Sequence, residues 1–300
     1  MAIFRKPGRP EQPEPTPDRL ADELAGLVEE LEPAAPGEPG APAEGGPGGL
    51  AEYRAGTERG RRRGARLVAA IARRLGSGSR AAAKGAAYGG RALTEQLLQT
   101  APRIPVRSLA TLRSQHPGAA DPEKLADLLV TGAGRASSAL GAGVGAAAML
   151  PVPPAMPVEI AAETIAVAAV EIKLIAELHE VYGFPVQGTA AQKAGAYVGA
   201  WANRRGIDPT LLAKPAGLAA MALGSEVRQQ VRRRLTRSSL RRLPSLTPLL
   251  VGAGIGATVN LRDTRRVARE VRTDLRGRPP ADPGYWAAAA PGPRGEKHGD

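Results

Sequence analysis

The chain has 300 residues and a formal net charge of +12, a length that allows one or two domains. It contains no cysteine, which excludes disulfide frameworks, thiolate metal sites and cysteine nucleophiles. With only 3% aromatic residues, a core must be built from Ala, Leu, Val and Ile, and this favours close-packed helices over a sandwich or barrel.

Residues 1–52 form an acidic head rich in Pro and Gly, too poor in apolar side chains to offset chain entropy. One island interrupts it. Thr16-Pro17 followed by Leu20, Leu24, Leu27 and Leu31 has an N-cap, a proline at the first helical position and leucines on one face. This helix is either transient in a disordered tail or a docking helix laid into a partner's groove. The start, Met1 to Pro10, lacks the apolar stretch of a secretory signal, so a cytoplasmic location is expected.

Residues 53–100 turn basic. In 61–75, Leu67, Val68, Ile71 and Leu75 share an arc of ~100°, with Arg62, Arg63, Arg66, Arg73 and Arg74 opposite. Such a helix fits an anionic membrane surface, or else packs on the main domain with its arginines in water. Gly76–Gly90 reads as a connector.

The main domain is expected over 101–276. Asp121-Pro122-Glu123 starts a helix that Pro151, Pro153, Pro154 and Pro157 end near Leu150. A second runs from about Val158 to Tyr182, closed by Gly183 and Pro185. Thr189 caps a third that ends near Arg205, and Glu226 to Leu243 is a helix crowded with Arg232, Arg233, Arg234, Arg237, Arg241 and Arg242. These arginines are further candidates for an anionic surface. Pro248 opens a last helix to about Arg276, and 277–300 is expected to be a disordered tail. No alternating run marks a strand.

Two segments nearly repeat: Gly141–Ala147 (GAGVGAA) and Gly252–Thr258 (GAGIGAT). Both match a dinucleotide-binding variant, but that fingerprint needs a strand before it and a helix after it. Ser137, Gly141 and Gly145 instead recur every four residues, as do Gly252, Gly256 and Asn260. Small residues on one stripe let two helix backbones approach, with Asn260 able to bond across the seam.

The stretches Gly141–Phe184 and Arg241–Glu270 resemble the EcsC family of bacterial proteins. The resemblance rests on a Gly-rich segment, a proline break, a long helix ending in Tyr182-Gly183, then Pro244, a Gly zipper and Asn260. It covers roughly 101–276 and implies a helical domain with membrane affinity and no established catalytic residue.

Catalytic constellations are missing from the sequence. His116, His179 and His298 lie far apart. Glu159, Glu163 and Glu177 share a helix face, but Glu159 and Glu177 are separated by about 27 Å of helix. The expectation is therefore an all-α bundle of antiparallel helices with Gly/Ala seams and disordered tails. It is non-enzymatic, with no cofactor, metal or small-molecule substrate. Its partner is an anionic membrane surface or, on the rival reading, a protein that binds a soluble module. Nucleic acid ranks below both, because the Arg runs lack aromatic platforms.

Overall fold

The computed structural model describes residues 16–33, 58–72, 97, 99–147, 156–205 and 247–289. Eight helices are numbered here: α1 (Pro17–Glu30), α2 (58–72), α3 (Leu109–Gln115), α4 (Pro122–Ala147), α5 (Met156–Val181), α6 (Ala190–Arg204), α7 (Thr247–Arg276) and the single turn α8 (Tyr285–Ala288). The described residues contain no strand. The helix expected over Glu226–Leu243, with its six arginines, falls outside the described residues, as do Arg73, Arg74 and Leu75.

Helix ends follow local chemistry. Thr16 accepts from the Arg19 amide at 3.3 Å, and Asp121 Oδ1 accepts from the Lys124 amide at 2.8 Å. Thr189 and Gln192 close a reciprocal capping box at the start of α6. At the end of α5, Gly183 takes φ 79°, the Phe184 amide bonds the His179 carbonyl at 2.8 Å, and the Gly183 amide bonds Glu180 at 3.2 Å. This pair of bonds is the Schellman stop, and only glycine adopts its left-handed residue without strain.

α5 is the centre. Every residue from 165 to 178 is buried, as expected of a helix that is apolar on all sides. α4, α6, α7, α1 and α3 pack around it. α4 and α7 form a long antiparallel pair: Gly141 meets Gly256, Ser137 meets Asn260 and Thr264, and Glu123 meets Arg272 and Arg276.

The hydrophobic core of the described residues extends beyond 101–276. Leu20, Leu24 and Leu27 of α1 and Leu67, Val68 and Ile71 of α2 belong to it. The head helix therefore docks on its own chain, and Arg63 of α2 pairs with Glu30 of α1. The tail also departs from expectation between 277 and 289. Tyr285 donates to the Val181 carbonyl at 3.1 Å and Arg113 stacks 4.4 Å above the Trp286 ring. Two amphipathic aromatics anchor a segment whose Pro and Gly content suggested disorder.

At the α4–α7 crossing, a Cβ on Gly141 would sit 2.5 Å from the Gly256 carbonyl oxygen, and one on Gly256 would fall on the Gly141 oxygen. Gly141→Leu and Gly256→Leu should each destabilise by at least ~1–3 kcal/mol. Gly195 and Gly199 of α6 have open space around them, so Gly195→Ala and Gly199→Ala should gain up to about 1 kcal/mol. Thermal melts of the four variants check both signs.

Candidate functional site

A helix buried on every side leaves its charged residues no route to water, yet α5 carries Glu171, Lys173 and Glu177, each with at most 1% exposure. At 100° per residue, Glu171 points to one side and Lys173 and Glu177 to the other. Two separate networks result.

Around Glu177, the Arg107 guanidinium donates Nε to Oε1 and Nη2 to Oε2, both at 2.8 Å, and Lys173 Nζ donates to Oε1 at 2.5 Å. Arg107 also grips Glu32, just beyond α1, through Nη1 at 2.9 Å and Nη2 at 2.6 Å. His116 Nε2 lies 3.0 Å from Glu32 Oε2. Burial opposes charge on both partners. The bonds to Glu177 and Glu32 nevertheless hold Arg107 above the ordinary guanidinium value. Likewise, bonds from His116 and Arg107 hold Glu32 below the usual carboxylate range.

Around Glu171, Trp201 Nε1 donates to Oε2 at 2.7 Å, and Arg205 donates Nε to Oε2 at 3.0 Å and Nη2 to Oε1 at 2.5 Å. Thr264 Oγ1 bridges Glu171 Oε1 at 3.0 Å and Ser137 Oγ at 2.9 Å. Arg205 continues to Asp263 at 3.0 Å. Bidentate arginine contacts of this kind satisfy a carboxylate's lone pairs and tie it to its neighbours. Neither Glu171 nor Glu177 is left as a free general base.

Glu163 differs. Among the described residues its Oε1 accepts from Asn260 Nδ2 alone, at 2.7 Å. Burial raises its carboxyl above the usual range, and the Asn260 bond opposes this only in part. Asn260 Nδ2 also reaches the Ser137 carbonyl at 3.2 Å, so the seam and this carboxyl form one unit. His179 is committed elsewhere: Nδ1 meets the Ile175 carbonyl at 2.7 Å, and burial holds its pKa low.

Of the six seam residues, Ser137, Gly141, Gly256 and Asn260 converge. Gly145 and Gly252 lie on α4 and α7, but their surroundings fall outside the described residues. Among the arginines of the basic helix, Arg62 and Arg66 are exposed and Arg63 is half-buried. The apolar face of α2 is spent on the core, with Leu67 at 1% exposure. It cannot also lie in lipid.

No family model, curated protein or solved structure matches the chain.

Among the described residues no group of three His, Asp or Glu could hold a metal ion, and no helix is long and apolar enough to cross a membrane. No local sequence pattern singles out Glu171, Lys173, Arg107 or Arg205. The available signal was α5 itself, whose charges have apolar residues on all sides. Nor does any motif mark Arg262, Arg265 and Arg269, which lie on the solvent side of α7, away from Gly256 and Asn260.

A raised carboxyl weakens the fold where it ionises. The sign follows from linkage: the folded state holds its proton more tightly, so stability is lost as pH rises through the carboxylate range. Glu163→Gln keeps the acceptor for Asn260 and removes the buried charge. The variant should melt above the wild type at neutral pH, and the gain should vanish below about pH 4. Paired melts across pH check this.

Proposed function

We propose that the chain is a non-enzymatic helical scaffold of the EcsC type, held peripherally on an anionic membrane surface by α7. The observation that carries this is the solvent face of α7. Arg262, Arg265 and Arg269 are exposed there, within an arc of roughly 60°. Among the described residues none of the three has an ion-pair partner. The face continues into exposed Val259, 38% accessible, and the helix from Thr247 to Leu261 carries no charge. Unpaired arginines beside an uncharged helical end match the layered polarity of a lipid interface.

Each arginine near an anionic leaflet contributes about 1 kcal/mol, so three supply reversible, salt-sensitive attachment rather than insertion. Arg62 and Arg66 on α2 can add charge but no wedge. The kinship with EcsC proteins draws support from two local features: the Tyr182-Gly183 stop of α5 and the seam that joins Gly141, Gly256 and Asn260. A non-catalytic role is supported by how the carboxylates of Glu171 and Glu177 are filled by fixed cations.

Flotation with vesicles of phosphatidylglycerol and phosphatidylcholine tests the proposal. The protein should float with anionic vesicles at low salt, stay down with neutral ones, and release at high salt. Arg262→Glu, Arg265→Glu and Arg269→Glu combined should weaken flotation by at least ~10-fold without lowering the melting temperature. A protein that never floats at low salt removes the membrane reading and leaves the soluble interaction module.

A further inference from the structure

The place where α1 lies has the chemistry of a receptor groove. α1 rests on α4, α5 and the short 3-10 turn Ala101–Arg103. Its Leu20, Leu24, Leu27 and Val28 are buried, spaced as the anchors of an amphipathic helix in a groove. The polar contacts then run along its length with one sign on each side. Asp18 pairs with Arg103 at 2.8 Å, Glu29 with Lys173 at 3.4 Å, and Glu32 with Arg107 at 2.6 Å. Arg135 donates to the Leu31 carbonyl at 3.2 Å, beside the negative end of the α1 dipole.

The groove therefore presents Arg103, Arg107, Arg135 and Lys173, with the buried acid Glu177 among them. The balance comes from the helix lying in it. Lys173 is 1% exposed; among the described residues its one groove-side carboxylate is Glu177, which Arg107 shares, beside the Pro105 carbonyl at 2.9 Å. With the α1 acids gone, two buried cations would share one carboxylate, a state that draws in a replacement acid. The occupying segment reaches α2 through residues 34–57, a stretch rich in Pro, Gly and Ala. Its hold thus depends on tethering as well as on contacts.

We propose that this groove is a docking site for an acidic amphipathic helix of a protein partner, and that α1 is its resident intramolecular ligand. The partner helix carries apolar residues placed as Leu20, Leu24, Leu27 and Val28, followed by acids placed as Glu29 and Glu32. It enters when α1 leaves. This inference is independent of the lipid-binding face on α7, because it uses a different surface and different arginines.

The test uses the full chain and a fluorescent synthetic peptide of residues 16–33. Leu24→Asp with Leu27→Asp disables the tethered helix and leaves every groove residue in place. A tethered segment acts at an effective concentration near ~1 mM, so the wild type should resist the peptide. The double variant should bind it on the order of 100-fold more tightly. A peptide with Glu29→Gln and Glu32→Gln should lose at least ~10-fold. A second format guards against misfolding of the variant. In it, a protease site replaces part of 40–50 in the otherwise wild-type chain, which is cut after folding. The labelled peptide should then exchange into the cut chain, one per molecule. Equal binding to wild type and variant would overturn the proposal, as would a cut chain that never exchanges its head helix.

Discussion

An ionised carboxylate inside a helix that touches protein on every side costs several kcal/mol unless cations and donors meet it. α5 carries two such groups, Glu171 and Glu177, on faces roughly 120° apart. Their demands organise the molecule. Glu177 requires Arg107 and Lys173, and Arg107 in turn requires Glu32, which fixes the end of α1. Glu171 requires Trp201 and Arg205 of the α6 end together with Thr264 of α7. The apolar area decides that these elements collapse around α5. The two carboxylates decide in which register they do so.

The glycine seam sets the second constraint. α4 and α7 approach until Gly141 and Gly256 face each other without side chains between them. That approach brings Asn260 within reach of both the Ser137 carbonyl and Glu163. It also fixes the far end of the pair, where Arg272 and Arg276 meet Glu123. The Arg276 bond, with help from Arg272, pulls the Glu123 carboxyl down to about 2. Tyr182 donates to the same carboxylate at 2.8 Å and ties the end of α5 to the pair. Packing of α4 on one side of α7 leaves its other side, with Arg262, Arg265 and Arg269, exposed.

Much of this fold was legible in the sequence wherever the signal was local. Thr16, Asp121, Thr189 and Gly183 mark helix ends through bonds to residues within five positions, and each does so in the structure. The seam was readable because glycine at four-residue spacing is costly unless backbones must touch. The ionic networks were not readable, because their partners are distant: Arg107 and Glu177 are 70 residues apart, and Arg107 and Glu32 are 75. Amphipathicity also has a limit. It shows that Leu67, Val68 and Ile71 share a face, but not whether lipid or protein covers it. Tyr285 and Trp286 were hidden by the Pro and Gly around them.

The central claim is that α5 tolerates buried charge only as a matched set. A double-mutant cycle on Lys173 and Glu177, 2.5 Å apart, tests it most directly. Lys173→Met leaves Glu177 and Glu32 to share Arg107, and Glu177→Met leaves two buried cations with Glu32 and the half-exposed Glu29. Each alone should cost ~3–5 kcal/mol in denaturant unfolding. The double variant keeps the Arg107–Glu32 pair and removes one charge of each sign. It should therefore lose far less than the sum and be more stable than either single variant. Losses that simply add would contradict the account.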